Sequence, residues 1–233
     1  MKQKLKIFAT SKWFDLLGVA LVISIAIASG YLATRLDKFV DWGSWTAYVP
    51  FGLISVINVG LSMLSTRFTG KLSKLGNYLG IINAALSGVI DYILGNKAAI
   101  ITYPVTFLIY LGAIYVWNKS TDKPNTLSKA KLYMLVTGIV VVSFVFSYVT
   151  NYIGYRGHMS LLAYITTIAF AFSLVGNGLN IFKLSTQWQF WLLYNIVQFT
   201  KALVQGNFAN VGKYIFYIIN SVGALFVWKD SEE

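Results

Sequence analysis

The chain has 233 residues, of which 57% are hydrophobic and 12% are charged, and that charged share is about half of the ~25% typical of soluble domains. Apolar runs of about 20 residues, the length that crosses a ~30 Å hydrocarbon layer, recur along the whole chain and leave no room for a soluble domain. The net charge of +11 does not indicate a nucleic-acid partner, because the basic residues lie at the ends of apolar runs, and the absence of cysteine excludes disulfides, thiolate metal sites and a cysteine nucleophile.

The apolar runs predict an all-α polytopic membrane protein with eight transmembrane helices. A backbone in lipid must satisfy its own hydrogen bonds, and these runs do not alternate as the strands of a membrane barrel do. In chain order, the predicted spans are 14–34, 47–66, 75–95, 98–117, 132–151, 159–182, 188–206 and 208–228. The first run extends to about Leu32, beyond the ~7–15 apolar residues of a cleavable signal peptide, so we expect it to be retained as a span.

The basic residues predict the orientation of the spans. Of the 19 lysines and arginines, most fall on the same side as the N-terminus: Lys2, Lys4, Lys6, Lys12, Arg67, Lys71, Lys74, Lys119, Lys123, Lys129, Lys131, Lys183 and Lys229. The opposite side holds Arg35, Lys38, Lys97, Arg156 and Lys213, while Lys201 lies within a span. Because cytoplasmic loops carry the excess of basic residues, both termini are predicted to be cytoplasmic.

Self-comparison indicates that a three-helix unit occurs twice. At an offset of 111 residues, Gly95-Asn96 matches Gly206-Asn207 and Val116-Trp117 matches Val227-Trp228. Within a single transmembrane domain, 1–233, the prediction is an extra N-terminal helix (1–34), repeat one (47–117), a linker helix (132–151) and repeat two (159–228). The linker span makes the two repeats parallel. In such a 3+1+3 transporter plan, the substrate site lies near the midplane between the repeats.

Five of the predicted spans carry polar side chains on one face. At ~100° per residue, the seventh span places Trp188, Trp191, Asn195, Gln198 and Ala202 on a shared face. Comparable faces carry Gly80, Asn83, Ser87 and Asp91; Ser55, Asn58 and Ser62; Ser173, Asn177 and Asn180; and Tyr214, Tyr217, Asn220 and Ser221. Polar groups in hydrocarbon are costly without partners, so we expect these faces to meet inside the bundle.

The polar faces allow two interpretations. Hydrogen bonding between helices is favoured for the serines. Contact with a solute is favoured for Trp188, Trp191 and Asn195, because two indoles one turn apart and an amide suit a flat, polar heteroaromatic molecule. The further candidates for this binding site are Gln198, Asn83, Ser87, Asn177, Tyr214, Tyr217 and Asn220. The competing explanation is a belt of aromatic residues at the membrane interface, which is an alternative for Trp188 and the prediction for Trp117 and Trp228.

Two ionisable residues, Asp91 and Lys201, fall within predicted spans. Such residues are candidates for a functional role. Their positions in the two repeats differ by one residue, so the two side chains could pair across the bundle. Alternatively, the Lys201 side chain could snorkel to the membrane interface. A role in transport stays open for both residues.

The sequence lacks the residue sets of membrane enzymes and metal sites. Its one histidine, His158, lies in a loop, and there is no cysteine–histidine cluster, phosphate-binding glycine loop or nucleotide-hydrolysis motif. We therefore predict no enzymatic activity, no cofactor and no metal. Ion coupling through Asp91 and a role as a scaffold or importer subunit remain alternative classes.

Two segments resemble the PnuC family: QWxFW…N (Gln187, Trp188, Phe190, Trp191 and Asn195) and YxxxxxNSxGxxxxW (Tyr214, Asn220, Ser221, Gly223 and Trp228). The resemblance covers spans 2–8 and implies an architecture similar to that of the SWEET sugar transporters. It also implies facilitated diffusion of nicotinamide riboside or a related vitamin or nucleoside into a bacterium, intracellular trapping by phosphorylation, and a homotrimer in the cytoplasmic membrane. Trp188, Trp191, Asn195, Tyr214 and Asn220 would line the site. Lys201 and the segment DYILGNKAA depart from the family pattern, which leaves deoxynucleosides, thiamine and riboflavin as alternative substrates.

Overall fold

The structure, a computed structural model, describes residues 11–120 and 123–232. This part of the chain contains eight α-helices. They are α1 (Lys12–Ala28), α2 (Phe51–Gly70), α3 (Leu75–Ile93), α4 (Ala99–Lys119), α5 (Lys129–Gly154), α6 (Leu161–Ile181), α7 (Gln187–Val204) and α8 (Phe208–Glu232). Each corresponds to one predicted span. Lys2, Lys4 and Lys6, which contribute to the predicted orientation, lie outside the described residues.

The first two helices differ from their predicted bounds. The α1 helix ends at Ala28 rather than at residue 34, because Gly30 adopts a left-handed conformation (φ 69°) that terminates it. The next residues form three short 3-10 turns, Tyr31–Ala33, Leu36–Lys38 and Ser44–Tyr48. The α2 helix begins at Phe51 rather than at residue 47, because a proline disfavours the helical conformation in the residue before it, and Val49 is extended (ψ 117°). The apolar residues of this segment do not extend a helix; Leu36 packs with Phe51 in a buried cluster.

The outer surface of the bundle is apolar, as expected for an integral membrane protein. The α5 helix shows this most clearly: its buried residues are Ser143, Ser147, Thr150 and Asn151, whereas large apolar side chains such as Val142 are exposed. Helices α2, α4, α5, α6 and α8 are long and apolar enough to cross a membrane. The other three described helices are shorter or more polar.

The helices pack in a reciprocal pattern. Helices α2, α3 and α4 contact one another in sequence, as do α6, α7 and α8, while α5 packs mainly on α6 and α1 packs mainly on α8. The two groups meet where α4 contacts α6 and where α2 contacts α8. The third helix of each group therefore packs against the first helix of the other.

The two tight turns of the bundle share one backbone geometry. Gly95 between α3 and α4 and Gly206 between α7 and α8 both have positive φ angles, 95° and 63°. In each turn the next amide bonds to the carbonyl five residues earlier, Asn96 to Asp91 and Asn207 to Ala202, with both N–O distances 2.9 Å. These turns lie at the same end of the bundle, because Gln205 beside the second turn donates to the carbonyl of Leu94 beside the first at 3.2 Å.

Three buried tryptophans close the opposite end of the bundle, which we call the tryptophan end (Trp117, Trp188 and Trp228). The Trp117 indole donates to the carbonyl of Asn180 at 2.7 Å, and the Trp228 indole donates to the carbonyl of Gly70 at 3.2 Å. Trp117 and Trp228 are fully buried, so the prediction of belt residues for these two is wrong. Because their N–H groups satisfy carbonyls near the ends of α6 and α2, they belong to the interior of the protein.

Candidate solute-binding cavity

The polar helix faces surround a cavity of about 140 Å³, which is room for a group of water molecules or a small organic solute. Of the twelve residues singled out in the sequence, eleven line it: Asn83, Ser87, Asp91, Asn177, Trp188, Trp191, Asn195, Gln198, Lys201, Tyr214 and Tyr217. Asn220 is not among its lining residues.

The α7 helix contributes the aromatic wall of the cavity. Trp191 meets the ring of Tyr194 edge-on at a centroid distance of 5.3 Å, and its indole N–H lies 3.4 Å from the side-chain oxygen of Gln187. Gly176 on α6 makes room for this indole, since a Cβ at that position would lie 2.9 Å from the ring. Trp188 is buried one turn earlier and joins the wall to the tryptophan end.

Amide side chains cross-link the helices around the cavity. Asn58 donates to Ser87 at 2.9 Å, and Asn83 donates to the side-chain oxygen of Asn58 at 3.0 Å. Asn195 on α7 donates to Ser221 on α8 at 2.9 Å. These bonds orient the α3 and α7 faces toward the cavity, and they show that hydrogen bonding between helices and lining of the cavity coexist.

Four buried polar atoms of the residues that line the cavity have no hydrogen-bond partner among the described residues: the indole nitrogen of Trp188, the side-chain oxygens of Asn177 and Asn180, and the hydroxyl of Thr166. Buried polar groups are normally paired, and leaving one unpaired costs about 1–3 kcal/mol. These groups have no protein partner, so a water molecule or a polar solute would be needed to satisfy them.

Tyrosines extend the aromatic surface along α8. Tyr214 packs edge-on against both Tyr194 and Tyr217, with ring centroids 6.1 Å apart in each pair. The hydroxyl of Tyr217 donates to Ser62 on α2 at 3.0 Å. Tyr103 and Tyr110 on α4 line the cavity too. Tyr103, which the sequence analysis did not select for the site, matches Tyr214 at the repeat offset, a signal that could have identified it.

Asp91 and Lys201 form an ion pair at the end of the cavity far from the tryptophans, at 2.6 Å. The carboxylate of Asp91 also accepts hydrogen bonds from Asn96, from Gln205 at 3.0 Å and from Tyr103 at 3.3 Å. Lys201 therefore points into the bundle and does not snorkel to the membrane interface. A carboxylate with this many donors is stabilised in its charged form.

Lys213 is a second lysine that lines the cavity. Its place near the end of an apolar run predicted a position in the external loops, but it lies in the second turn of α8 and only 5% of it is exposed. Its ammonium lies over the ring of Tyr214, 4.6 Å from the centroid. Lys213, Tyr214 and Tyr217 share one helix face, and that periodicity could have identified Lys213. We call this end of the cavity (Asp91, Lys201 and Lys213) the ionic end.

Asn220 faces a different part of the bundle. Its side-chain oxygen accepts a hydrogen bond from Arg67 at 2.7 Å, and the same guanidinium pairs with Asp15 of α1. Arg67 is buried within α2, although the sequence placed it in a loop. Asn220 therefore joins α8 to α2 and α1, and the structure does not place it with the other candidate binding residues.

Known proteins match both the sequence and the fold. The sequence profile of the family described as nicotinamide mononucleotide transporter matches residues 52–230. The crystal structure of the vitamin B3 transporter PnuC shares the fold, with a TM-score of 0.68 and 17% sequence identity over 94% of this chain and 92% of that chain. No curated protein sequence matches this chain. The resemblance predicted from one motif in α7 and one in α8 is confirmed. The chain belongs to the nicotinamide mononucleotide transporter (PnuC) family of membrane transporters.

Proposed function

We propose that the protein mediates facilitated diffusion of a nucleoside-type vitamin or nucleoside, with a flat heteroaromatic base and a ribose or deoxyribose, through the cavity between α2–α4 and α6–α8. The single observation that carries this proposal is the unpaired donor and acceptors, Trp188, Asn177 and Asn180, beside the Trp191 indole. The indole supplies a surface for stacking, and the unpaired atoms supply hydrogen bonds to base or sugar.

Nicotinamide riboside is the first candidate substrate. It is supported by the family to which the chain belongs and by the vitamin that the similar crystal structure is named for. The phosphorylated form is expected to bind more weakly. A phosphate dianion favours several charge-assisted donors, whereas the cavity offers one lysine, Lys213, that is not already paired with a carboxylate.

A deoxynucleoside is the second candidate. The observation that favours it is the amino group of Lys213 in the cavity lining, which, whenever it is protonated, repels a pyridinium cation but not an uncharged base. Thiamine is less well supported because it is itself a cation, and riboflavin is less well supported because of the size of the cavity.

Diffusion down a gradient is supported over proton coupling. A proton carrier must release and rebind its proton, but the Asp91 carboxylate is paired with Lys201 and accepts further hydrogen bonds from Asn96, Gln205 and Tyr103. Net uptake then requires that the solute be removed inside the cell, and phosphorylation by a kinase would trap it because the charged product no longer fits the pathway.

The architecture proposed for this function has eight transmembrane helices in a 1+3+1+3 order, with both termini in the cytoplasm of a bacterium. It is supported by the reciprocal contacts of α4 with α6 and of α2 with α8 and by the matching turns at Gly95 and Gly206. A homotrimer in the cytoplasmic membrane is proposed from the family resemblance.

The test is titration of the purified protein with nicotinamide riboside, thiamine, nucleosides and deoxynucleosides, followed by tryptophan fluorescence and then by uptake into proteoliposomes. Binding and uptake of a riboside or deoxyriboside, without an ion gradient, is the expected result. No response to any member of the panel would overturn the proposed substrate class. Binding without uptake would favour a scaffold or importer subunit.

A further inference from the structure

A second concave surface lies on the outside of the bundle, between α3 and α4. It is an open groove of about 630 Å³, which we call the α3–α4 groove. None of the described residues that line it is charged, and their polar side-chain atoms belong to Trp42, Tyr92 and Tyr103. The hydroxyl of Tyr103 donates to Asp91 inside the bundle. The groove therefore offers few hydrogen bonds to an occupant and suits an apolar one.

Small residues on α3 give the groove its depth. Ala85 and Gly88 line it, and a Cβ at Gly88 would lie 2.9 Å from the Cβ of Tyr103 on α4, so the two helices meet closely there. On α4 the lining extends from Ala99 to Leu108, about 14 Å along the helix. This is about half of the ~30 Å hydrocarbon thickness of a bilayer. The groove thus has the length of an acyl chain in one leaflet.

A lysine and two aromatic residues lie at the mouth of the groove, which is its end beside the turn between α3 and α4. The ammonium of Lys97 in this turn lies 4.7 Å from the centroid of the Tyr92 ring, and Lys97 is exposed. Trp42, half exposed, belongs to the segment whose Leu36 packs with Leu94 beside the same turn. Tryptophan and tyrosine are typical of the membrane interface, so the mouth is expected at the level of the lipid headgroups.

The charge at the mouth favours an anionic headgroup. The segment that carries Trp42 holds two residues of each sign and contributes no net charge: Arg35, Asp37, Lys38 and Asp41. Lys97 adds a positive charge beside Tyr92. An ammonium donates charge-assisted hydrogen bonds to phosphate oxygens, and one lysine near the membrane surface strengthens the binding of anionic lipid by about fivefold.

We propose that the α3–α4 groove binds one anionic phospholipid, with an acyl chain along Ala85 and Gly88 and the headgroup phosphate paired with Lys97. Tyr103 lines both this groove and the solute cavity. The acyl chain therefore packs against a residue whose hydroxyl donates to Asp91 at 3.3 Å, and the lipid completes a thin part of the wall between membrane and cavity. The site is independent of the solute that the cavity holds.

Two lipids with identical acyl chains test this inference on the wild type. The purified full-length protein in dodecyl maltoside is titrated with dioleoyl phosphatidylglycerol, which is anionic, or with dioleoyl phosphatidylcholine, which is zwitterionic. Native mass spectrometry counts the bound lipids per protomer. We expect one phosphatidylglycerol to bind about fivefold more tightly than phosphatidylcholine. Equal affinities would mean that bulk lipid fills the groove, and the inference would be overturned.

Variants at Lys97 assign the headgroup preference to this residue. Lys97→Met should lower the affinity for phosphatidylglycerol by about fivefold and leave that for phosphatidylcholine unchanged, whereas Lys97→Arg should keep the preference. Lys119→Met is the matched control, because Lys119 at the other end of α4 also lies over a tyrosine ring, 3.9 Å from the centroid of Tyr115. Lys119 is exposed and does not line the groove. Equal effects of Lys97→Met and Lys119→Met would contradict the assignment.

A bulky side chain in the groove tests the place of the acyl chain. Ala85→Phe should weaken the binding of both lipids by about tenfold or more, because the ring occupies the space of the chain. Leu86→Phe is the control, since Leu86 is the next residue of α3 and is 40% exposed but does not line the groove. Unchanged lipid binding in Ala85→Phe would place the lipid elsewhere. If Ala85→Phe instead separates an oligomer into protomers while lipid binding persists, the groove is an interface between copies of the chain, and the inference is wrong.

Discussion

The ammonium of Lys201 on α7 lies 2.6 Å from a carboxylate oxygen of Asp91 on α3. Both residues are buried, so each charge depends on the other for its stability within the bundle. The pair holds α3 and α7 together at the ionic end of the cavity, next to the turns at Gly95 and Gly206.

Replacing Asp91 by Asn is expected to destabilise the protein by about 3–5 kcal/mol, because Lys201 would then be a buried charge without its partner. The double variant Asp91→Asn with Lys201→Met removes both charges and should recover more than half of that loss. The measurement is the unfolding free energy in detergent. Single and double variants of equal stability would contradict the coupling of the two residues. Uptake by the double variant with and without a pH gradient then tests proton coupling, and unchanged uptake is expected.

Removing the Trp191 indole should weaken solute binding. We expect Trp191→Ala to cost about 1–3 kcal/mol, the scale of base stacking on aromatic side chains, and Trp191→Phe to cost less than half as much. Trp13→Ala is the control, since Trp13 is 74% exposed on α1 and does not line the cavity. Isothermal titration with the bound riboside distinguishes the three, and an unchanged affinity in Trp191→Ala would return the indole to a packing role.

A methyl group at Gly176 should disturb the site without changing any lining side chain. A Cβ there would lie 2.9 Å from the Trp191 ring, so the indole must shift into the cavity. We expect Gly176→Ala to lower riboside affinity about tenfold or more. Gly60→Ala provides the control, because nothing lies within 4 Å of a Cβ at that position of α2. Equal affinities of the two variants would show that the indole position is unimportant for binding.

The cluster of Arg67, Asn220 and Asp15 should contribute to the stability of the protein rather than to solute binding. Arg67→Met removes the hydrogen bond to Asn220 and the ion pair with Asp15. The expected loss is about 2–3 kcal/mol, below the ~3–5 for a fully buried pair, because the side chain of Asp15 is 35% exposed. Lys71 lies 3.5 Å from the same Asp15 carboxylate and is partly exposed, so Lys71→Met should cost less than about 1 kcal/mol. If Arg67→Met lowers the free energy of riboside binding by more than it lowers the free energy of unfolding, the cluster belongs to the binding site.

Local periodicity was sufficient to group the residues of the α7 wall. Trp188, Trp191, Asn195 and Gln198 share a helix face, and a single helix is enough to bring them into one surface, which the structure places on the cavity. The eight helices followed from the apolar runs for the same reason. The predicted helix bounds are wrong between residues 29 and 50, where apolar side chains such as Leu36 pack against other parts of the protein without continuing a helix.

The residues that sequence reasoning misplaced depend on neighbouring helices. Asn220 lies one turn after Tyr217 on α8 but contacts Arg67, because α2 and α1 cover that side of the helix. Lys213 and Trp228 were assigned from their places near the ends of apolar runs. Each is buried because another helix extends past it, and this arrangement is not encoded in the local pattern of either residue.

The matched turns at Gly95-Asn96 and Gly206-Asn207 have identical backbone hydrogen bonds but different side-chain partners. Asn96 donates to Asp91, whereas the side-chain oxygen of Asn207 accepts from the amide of Asn210 at the start of α8. One scaffold thus accommodates two local chemistries. The first half of the described chain contributes the acid of the ionic end, and the second half contributes both lysines and the two indoles that line the cavity.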